Sequence, residues 1–314
     1  MGEVIGVFLV ASFGSLAVGL VSSWVDRKVT ARVQYRVGPP LLQPVYDIVK
    51  LLGKETLLPE RARGRGFLWA PPAGFAAAAV AAAALWYANV YRAGFVGDLI
   101  VVIYLLTIPA IAAIYGAMAS GSPHATIGAS REMKMLLAYE LPLVMAVLVP
   151  VVKVSQAPDF GPTFAIGSIV AFQQAHGWAL ASASGAVAAV VALVCLQAKL
   201  TLVPFDLPEA ETELMGGSHL EYSGPPLAML KLTRMLLLAV GPILLATLFL
   251  GGLADAASGW SWLALAGKFV AILVLVVLIR NTNPRLRIDQ TVRFFWFGLA
   301  PLAAAALVLA WFGY

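Results

Sequence analysis

Long runs of apolar residues almost free of charge dominate this chain, and they leave it few ways to fold. In hydrocarbon no water satisfies a backbone N–H or C=O, so a spanning segment must satisfy itself, as a helix does. About 20 apolar residues in a helix cross a bilayer. Eight such runs lie at approximately 3–25, 70–91, 98–119, 133–153, 178–199, 227–252, 260–280 and 293–313. They predict an all-α membrane protein, with residues 1–314 forming a single polytopic membrane domain of eight transmembrane helices. Only 12% of residues are charged, about half the fraction usual in a soluble domain. The first run has no basic segment before it and is too long for a signal-peptide core, so it is read as a span.

Lysine and arginine set the expected orientation. Arg27, Lys28, Arg32, Arg36, Lys50, Lys54, Arg61, Arg63 and Arg65 lie in the first connection, and Arg131 and Lys134 in the third. Lys199, Lys231 and Arg234 border the fifth, and Arg280, Arg285, Arg287 and Arg293 mark the seventh. Only Arg92, Lys153 and Lys268 of the 21 basic residues fall elsewhere. The positive-inside rule then predicts a multi-pass protein of the cell (inner) membrane, with odd-numbered loops in the cytoplasm and both termini outside.

The same inventory excludes several functions. One cysteine, Cys195, neither forms an internal disulfide nor holds an iron–sulfur cluster, which normally takes four ligands. His124, His176 and His219 lack metal-ligand spacing. No cofactor is therefore expected on this chain. No phosphate loop, internal repeat or nucleic-acid motif is present, and the net charge of +5 is loop charge that meets anionic lipid.

Four cytoplasmic stretches carry the unusual residues. In the first loop, Gly38-Pro39-Pro40 breaks any helix, and after Pro44 an amphipathic pattern predicts a short interfacial helix. It is either an ordinary anchor or the roof of a cavity that opens to lipid. In the second stretch, Arg131, Glu132 and Lys134 begin the fourth span, and Glu140 lies nine residues past Arg131, about 13 Å along a helix. A carboxylate at that depth must be paired, hydrated or neutral. Either a structural pairing or a proton relay would meet that need, and Pro142 frees the Ala138 carbonyl nearby.

The third stretch, Lys199 to Pro226, is acidic in an otherwise basic face. Asp206 and Glu209 fit a capping box with Pro208 in the first turn, Glu209 and Glu213 share a face, and Gly216-Gly217 ends the helix. With Glu211, Glu221 and Tyr222, this set suits a cluster facing a hydrated cavity or the arginines of the first loop. Like charges held together would push some of these carboxyls toward neutrality. The fourth stretch brings Arg285, Arg287, Asp289 and Arg293 after Asn283-Pro284. It reads as an anchoring collar, a docking surface or a set of countercharges.

Together, ARVQYRVGPPLLQPVYDIVKLLGKE, IGASRE with AYELP, PFDLPEAETEL with EYSG, and PRLRIDQTVRFFW resemble the H subunit of respiratory complex I and the matching membrane subunit of energy-converting nickel–iron hydrogenases. GSPHATIGASRE and EYSGPPLAMLKL look more like the hydrogenase branch. The resemblance implies a docking and coupling subunit whose partners are hydrogenase-like or complex I-like large and small subunits, an iron–sulfur protein and antiporter-like membrane subunits. Iron–sulfur clusters and a nickel–iron site, or quinone in the complex I alternative, would then sit in the complex. It assigns Arg27, Arg32, Arg36, Gln43 and Asp47 to the first-loop motif, and Arg131, Tyr139 and Glu140 to the fourth span. Asp206, Glu209, Glu211, Glu213, Glu221 and Tyr222 fall in the acidic loop, and Arg285, Arg287, Asp289 and Arg293 in the last one. A stand-alone transporter, which would tend to show repeats, and a purely structural anchor are the competing readings.

Overall fold

The computed structural model describes all residues except Met1, Arg63, Ala93, Phe95, Val96 and Asp159, and all their side chains except those of residues 2–5, Gly64, Glu211 and Thr212. Among the described residues there are helices and no strands. In chain order the helices are α1 (Gly2–Val33), α2 (Gln43–Leu52), α3 (Gly64–Tyr91), α4 (Asp98–Ala119), α5 (Pro123–Gln156) and α6 (Ile166–His176). They continue with α7 (Ala183–Lys199), α8 (Glu211–Leu214), α9 (Gly224–Phe249), α10 (Gly259–Thr282) and α11 (Ile288–Trp311). Among the described residues, seven helices are long and apolar enough to cross a membrane, and α7 is a shorter apolar one of 17 residues.

The expected spans hold, with shifted ends. α4 matches its expected bounds, whereas α1 continues past residue 25 to Val33 and α5 starts at Pro123 rather than 133. At about 1.5 Å per residue these helices are near 50 Å long, well beyond the roughly 30 Å of hydrocarbon. Their charged ends therefore project from it, and hydropathy stops where the apolar run stops. α7 begins at Ala183 rather than 178, because Ser182 accepts a hydrogen bond from Gly185 N at 3.1 Å and caps it there. α6 has no counterpart among the expected spans. Its 11 residues reach only about 17 Å, too short to span. α2 is the expected amphipathic helix, with Pro44 and Ile48 buried and Val45, Tyr46, Val49 and Leu52 exposed.

Contacts between connections show that the chain alternates between two ends. At one end Leu57 N donates to Ser223 Oγ at 3.0 Å, Leu286 N donates to Pro204 O at 3.1 Å, and Gly121 sits against Arg61. At the other end Ile166 N donates to Asp98 Oδ1 at 2.8 Å, Gln174 Nε2 to Leu253 O at 2.9 Å, and Gln156 Nε2 to Trp311 O at 2.8 Å. Odd-numbered and even-numbered connections thus gather at opposite ends, as helices that alternate in direction require. α9 is the central helix, with 83% of its spanning window buried. Exposed Trp260, Trp311 and Tyr314 mark the end away from the long loops, as interfacial aromatics do.

The long-loop end is packed tightly enough to exclude a methyl group. A Cβ on Gly128 of α5 would lie 2.6 Å from Ser218 N, and one on Gly217, whose φ is +52°, would lie 1.8 Å from Pro208 O. Gly128→Ala should therefore displace the acidic loop at a cost of about 1–3 kcal/mol. Thermal unfolding in detergent checks this. Gly14→Ala, which meets nothing within 4 Å, should leave the midpoint unchanged.

Candidate functional site

The centre of the site is an ion pair inside the bundle. Lys199, the last residue of α7, points its Nζ at Glu140 Oε2 of α5, 3.4 Å away, and at Thr107 Oγ1 of α4, 3.3 Å away. Thr107 Oγ1 donates to Glu140 Oε1 at 2.9 Å, closing a triangle across three helices. The Lys199 side chain is 7% exposed and that of Glu140 24%. The Tyr139 ring lies 5.4 Å from Lys199 Nζ, close enough for a cation–π contact. Tyr139 Oη is buried with no hydrogen-bond partner among the described residues.

Lys199 also lines a cavity of about 60 Å³ with Glu132, Glu209, Ser218, His219 and Arg234. That is room for a few waters among groups able to bind them. Arg234 of α9 donates to Glu209 Oε2 at 2.5 Å and to Thr201 O at 3.0 Å. His219 Nδ1 lies 3.2 Å from Glu209 Oε1. Burial pushes the Glu209 carboxyl up, but the Arg234 and His219 contacts outweigh it and hold it below the usual carboxylate range. Burial lowers His219, against the pull of Glu209.

A larger cavity of about 480 Å³ adjoins, sharing Leu200, Thr201, Glu209 and Arg234 with the smaller one. Asp26, Arg27, Asp206, Lys231, Arg280 and Arg285 complete its charged lining. Arg285 Nε donates to Asp206 Oδ1 at 2.8 Å, and Arg280 pairs with Asp26. Arg27 donates to Asp47 Oδ2 at 2.8 Å, and Gln43 Nε2 donates to Asp47 Oδ1 at 2.9 Å. Burial would raise the Asp47 carboxyl, yet these hydrogen bonds and the Arg27 charge hold it down.

The acidic loop departs from expectation. Residues 207–209 form a 3-10 turn, Asp206 makes no capping hydrogen bond, and α8 is a separate turn, so the capping box is absent. Glu209 and Glu213 do not share a face: Glu209 points into the smaller cavity, while Glu213 is 47% exposed and pairs with Arg131. Nor are these two carboxyls pushed toward neutrality. The hydrogen bond and charge of Arg131 lower Glu213, as Arg234 and His219 lower Glu209. The arginines that meet the loop come from α5, α9 and the last connection rather than from the first loop.

Tyr222 is buried against α3, stacked on Phe67 at 4.1 Å, and its hydroxyl donates to Phe67 O at 3.1 Å. Glu221 is half-buried with no ion pair among the described residues. Arg32, Arg36, Arg287, Asp289 and Arg293 lie toward the surface and form no ion pair among them either. The Glu211 side chain and Arg63 lie outside the described residues. Sequence reasoning missed Lys199, Thr107, Arg234 and His219 as site residues. Their signal was weak, since a basic residue at a span end is what topology alone demands. No group of three His, Cys, Asp or Glu able to hold a metal occurs among the described residues.

Comparison with known proteins gives concordant matches. The NADH dehydrogenase family matches residues 5–311. The H subunit of the NADH-quinone oxidoreductase of Bacillus cytotoxicus is 34% identical over 314 residues, covering 96% of this chain and 90% of that protein. Its counterpart of the same name in Geobacillus thermodenitrificans is 34% identical, covering 90% and 86%. Among solved structures, a chain of the membrane-bound sulfane sulfur reductase, an archaeal respiratory membrane complex, superposes with a TM-score of 0.86. It is 30% identical, with 98% and 99% of the two chains covered.

Two outcomes follow from the geometry. Lys199→Met strands a largely buried carboxylate and should destabilise the protein by about 3–5 kcal/mol. Adding Glu140→Gln should restore much of that loss, as a double-mutant cycle by thermal unfolding would show. Because the folded Glu209 pKa lies below its ordinary 4.5, its contribution is present above that pH and lost as pH falls through the depressed folded value. The stability difference between wild type and Glu209→Gln should thus persist from pH 7 to about 5 and fade below.

Proposed function

This chain belongs to the NADH dehydrogenase family, as a membrane subunit of a complex I-like respiratory assembly, and from that premise we propose that it anchors and couples an energy-converting oxidoreductase of the membrane-bound hydrogenase type. In this reading it docks a soluble redox arm and links electron transfer there to proton or sodium translocation.

The Lys199–Glu140–Thr107 centre carries the proposal. A buried ion pair is costly to assemble and sensitive to any change in its charge balance. This one communicates through the small polar cavity with Glu209, His219 and Arg234, and Glu209 and Arg234 also border the larger cavity at the long-loop end. Redox change in a docked arm would alter charge or hydration along that line. Glu140 would pass the change to antiporter-like subunits lying against the bundle in the membrane.

Arg32, Arg36, Arg287 and Arg293 supply a basic surface for the arm's large and small subunits and iron–sulfur protein. The metal centres belong to that arm, since the one cysteine here, Cys195, is buried alone in α7. The long-loop end is then cytoplasmic, with both termini outside.

The second reading, the quinone-site H subunit of complex I, is favoured by the names of the relatives in Bacillus and Geobacillus. Against it, eight of the fifteen residues lining the larger cavity are charged. Such a lining suits a hydrated or anionic guest better than the apolar ring and tail of a quinone, so no step is routed through quinone.

In proteoliposomes of the intact complex, Glu140→Gln should preserve assembly and electron transfer but lower ions moved per electron at least tenfold. Glu213→Gln should lower the same ratio in an assembled complex. Wild-type stoichiometry in these variants would leave only a structural anchor. Arg36→Ala and Arg287→Ala should instead release the soluble arm at lower salt, read by co-purification.

A further inference from the structure

We propose that the larger cavity is a binding site for a phosphate group that carries a neighbouring hydroxyl. Its lining brings together five cations, Arg27, Lys231, Arg234, Arg280 and Arg285, and three carboxylates, Asp26, Asp206 and Glu209. Each of the three carboxylates is already met by one arginine: Asp26 by Arg280, Asp206 by Arg285 and Glu209 by Arg234. Arg27 is engaged by Asp47, which lies outside the lining. Lys231 has no hydrogen bond and no ion pair among the described residues. With Asp47 counted against Arg27, these described residues carry one positive charge in excess, and it rests on the Lys231 ammonium, which no hydrogen bond or ion pair holds.

Excess charge beside an apolar bundle is costly, and an anion in the cavity offsets it. At about 480 Å³ the space is more than ten times what one water occupies, roughly 30 Å³. Guanidinium forks and an ammonium together suit the tetrahedral oxygens of phosphate. The hydroxyl follows from Asp26. Its Oδ1 is buried and has no hydrogen-bond donor among the described residues, although its other oxygen pairs with Arg280. A ligand hydroxyl supplies that donor. The chemistry is met by the headgroup of a glycerol-bearing anionic phospholipid or by a soluble polyol phosphate. This assignment uses the cavity alone and stands whether or not the chain couples ion movement.

The test uses the intact complex, stripped of lipid in mild detergent. Native mass spectrometry after incubation with phosphatidylglycerol or phosphatidylcholine vesicles reads lipid retention, and calorimetry with glycerol 3-phosphate reads the soluble source. Retention of phosphatidylglycerol over phosphatidylcholine by at least tenfold is expected, weakened about tenfold in Lys231→Gln and restored in Lys231→Arg. Binding of the lipid alone identifies a membrane source, and binding of glycerol 3-phosphate as well identifies a soluble one. Equal retention of the two lipids, with no heat from glycerol 3-phosphate, overturns the proposal. So does undiminished binding in Lys231→Gln. If that variant fails to assemble, the wild-type lipid ratio and the calorimetry decide alone.

Discussion

A lysine and a glutamate held 3.4 Å apart inside a bundle of apolar helices set the terms for everything around them. Neither charge is tolerable there unless the other is in place and the remaining polar atoms are satisfied. That demand fixes α4, α5 and α7 relative to one another, because Thr107, Glu140 and Lys199 come one from each. It also explains why α7 stops where it does: Leu200 and Thr201 leave the helix and present their carbonyls to Arg234. The acidic loop departs from this point, so its path depends on the buried pair.

The long-loop end is built from separate ion pairs, each tying two distant segments. Asp26–Arg280 joins α1 to α10, Arg27–Asp47 joins α1 to α2, and Asp206–Arg285 joins the acidic loop to the last connection. Glycines let the backbones approach. Gly128 admits the loop to α5, and Gly224, with φ of +60°, brings the start of α9 against the carbonyls of Lys54 and Glu55. The result is a polar end held rigid enough to frame two adjoining cavities, with further arginines left on its surface.

Much of this was legible in the sequence, for a physical reason: hydrocarbon demands helices, and apolar runs of the right length announce them. Residues 98–119 carry their observed bounds in their hydropathy, and the amphipathic α2 is visible from its pattern. Helix ends beyond the hydrocarbon are not, because α1 and α5 continue into charged sequence where hydropathy is silent. The acidic loop is not the one capped helix that its spacing suggests. Local spacing favours a box at Asp206 and Glu209, but tertiary arginines claim both carboxylates. Lys199 is visible only as topology charge, since no spacing within a chain reveals which carboxylate on another helix a lysine will meet.

In the proposed coupling, redox change in a docked arm alters the state of Glu140. Redox-difference infrared spectroscopy of the reconstituted complex tests this most directly. The expected result is a carboxyl or carboxylate difference band in the wild type that disappears in Glu140→Gln while electron transfer continues. Identical difference spectra in the two would contradict it.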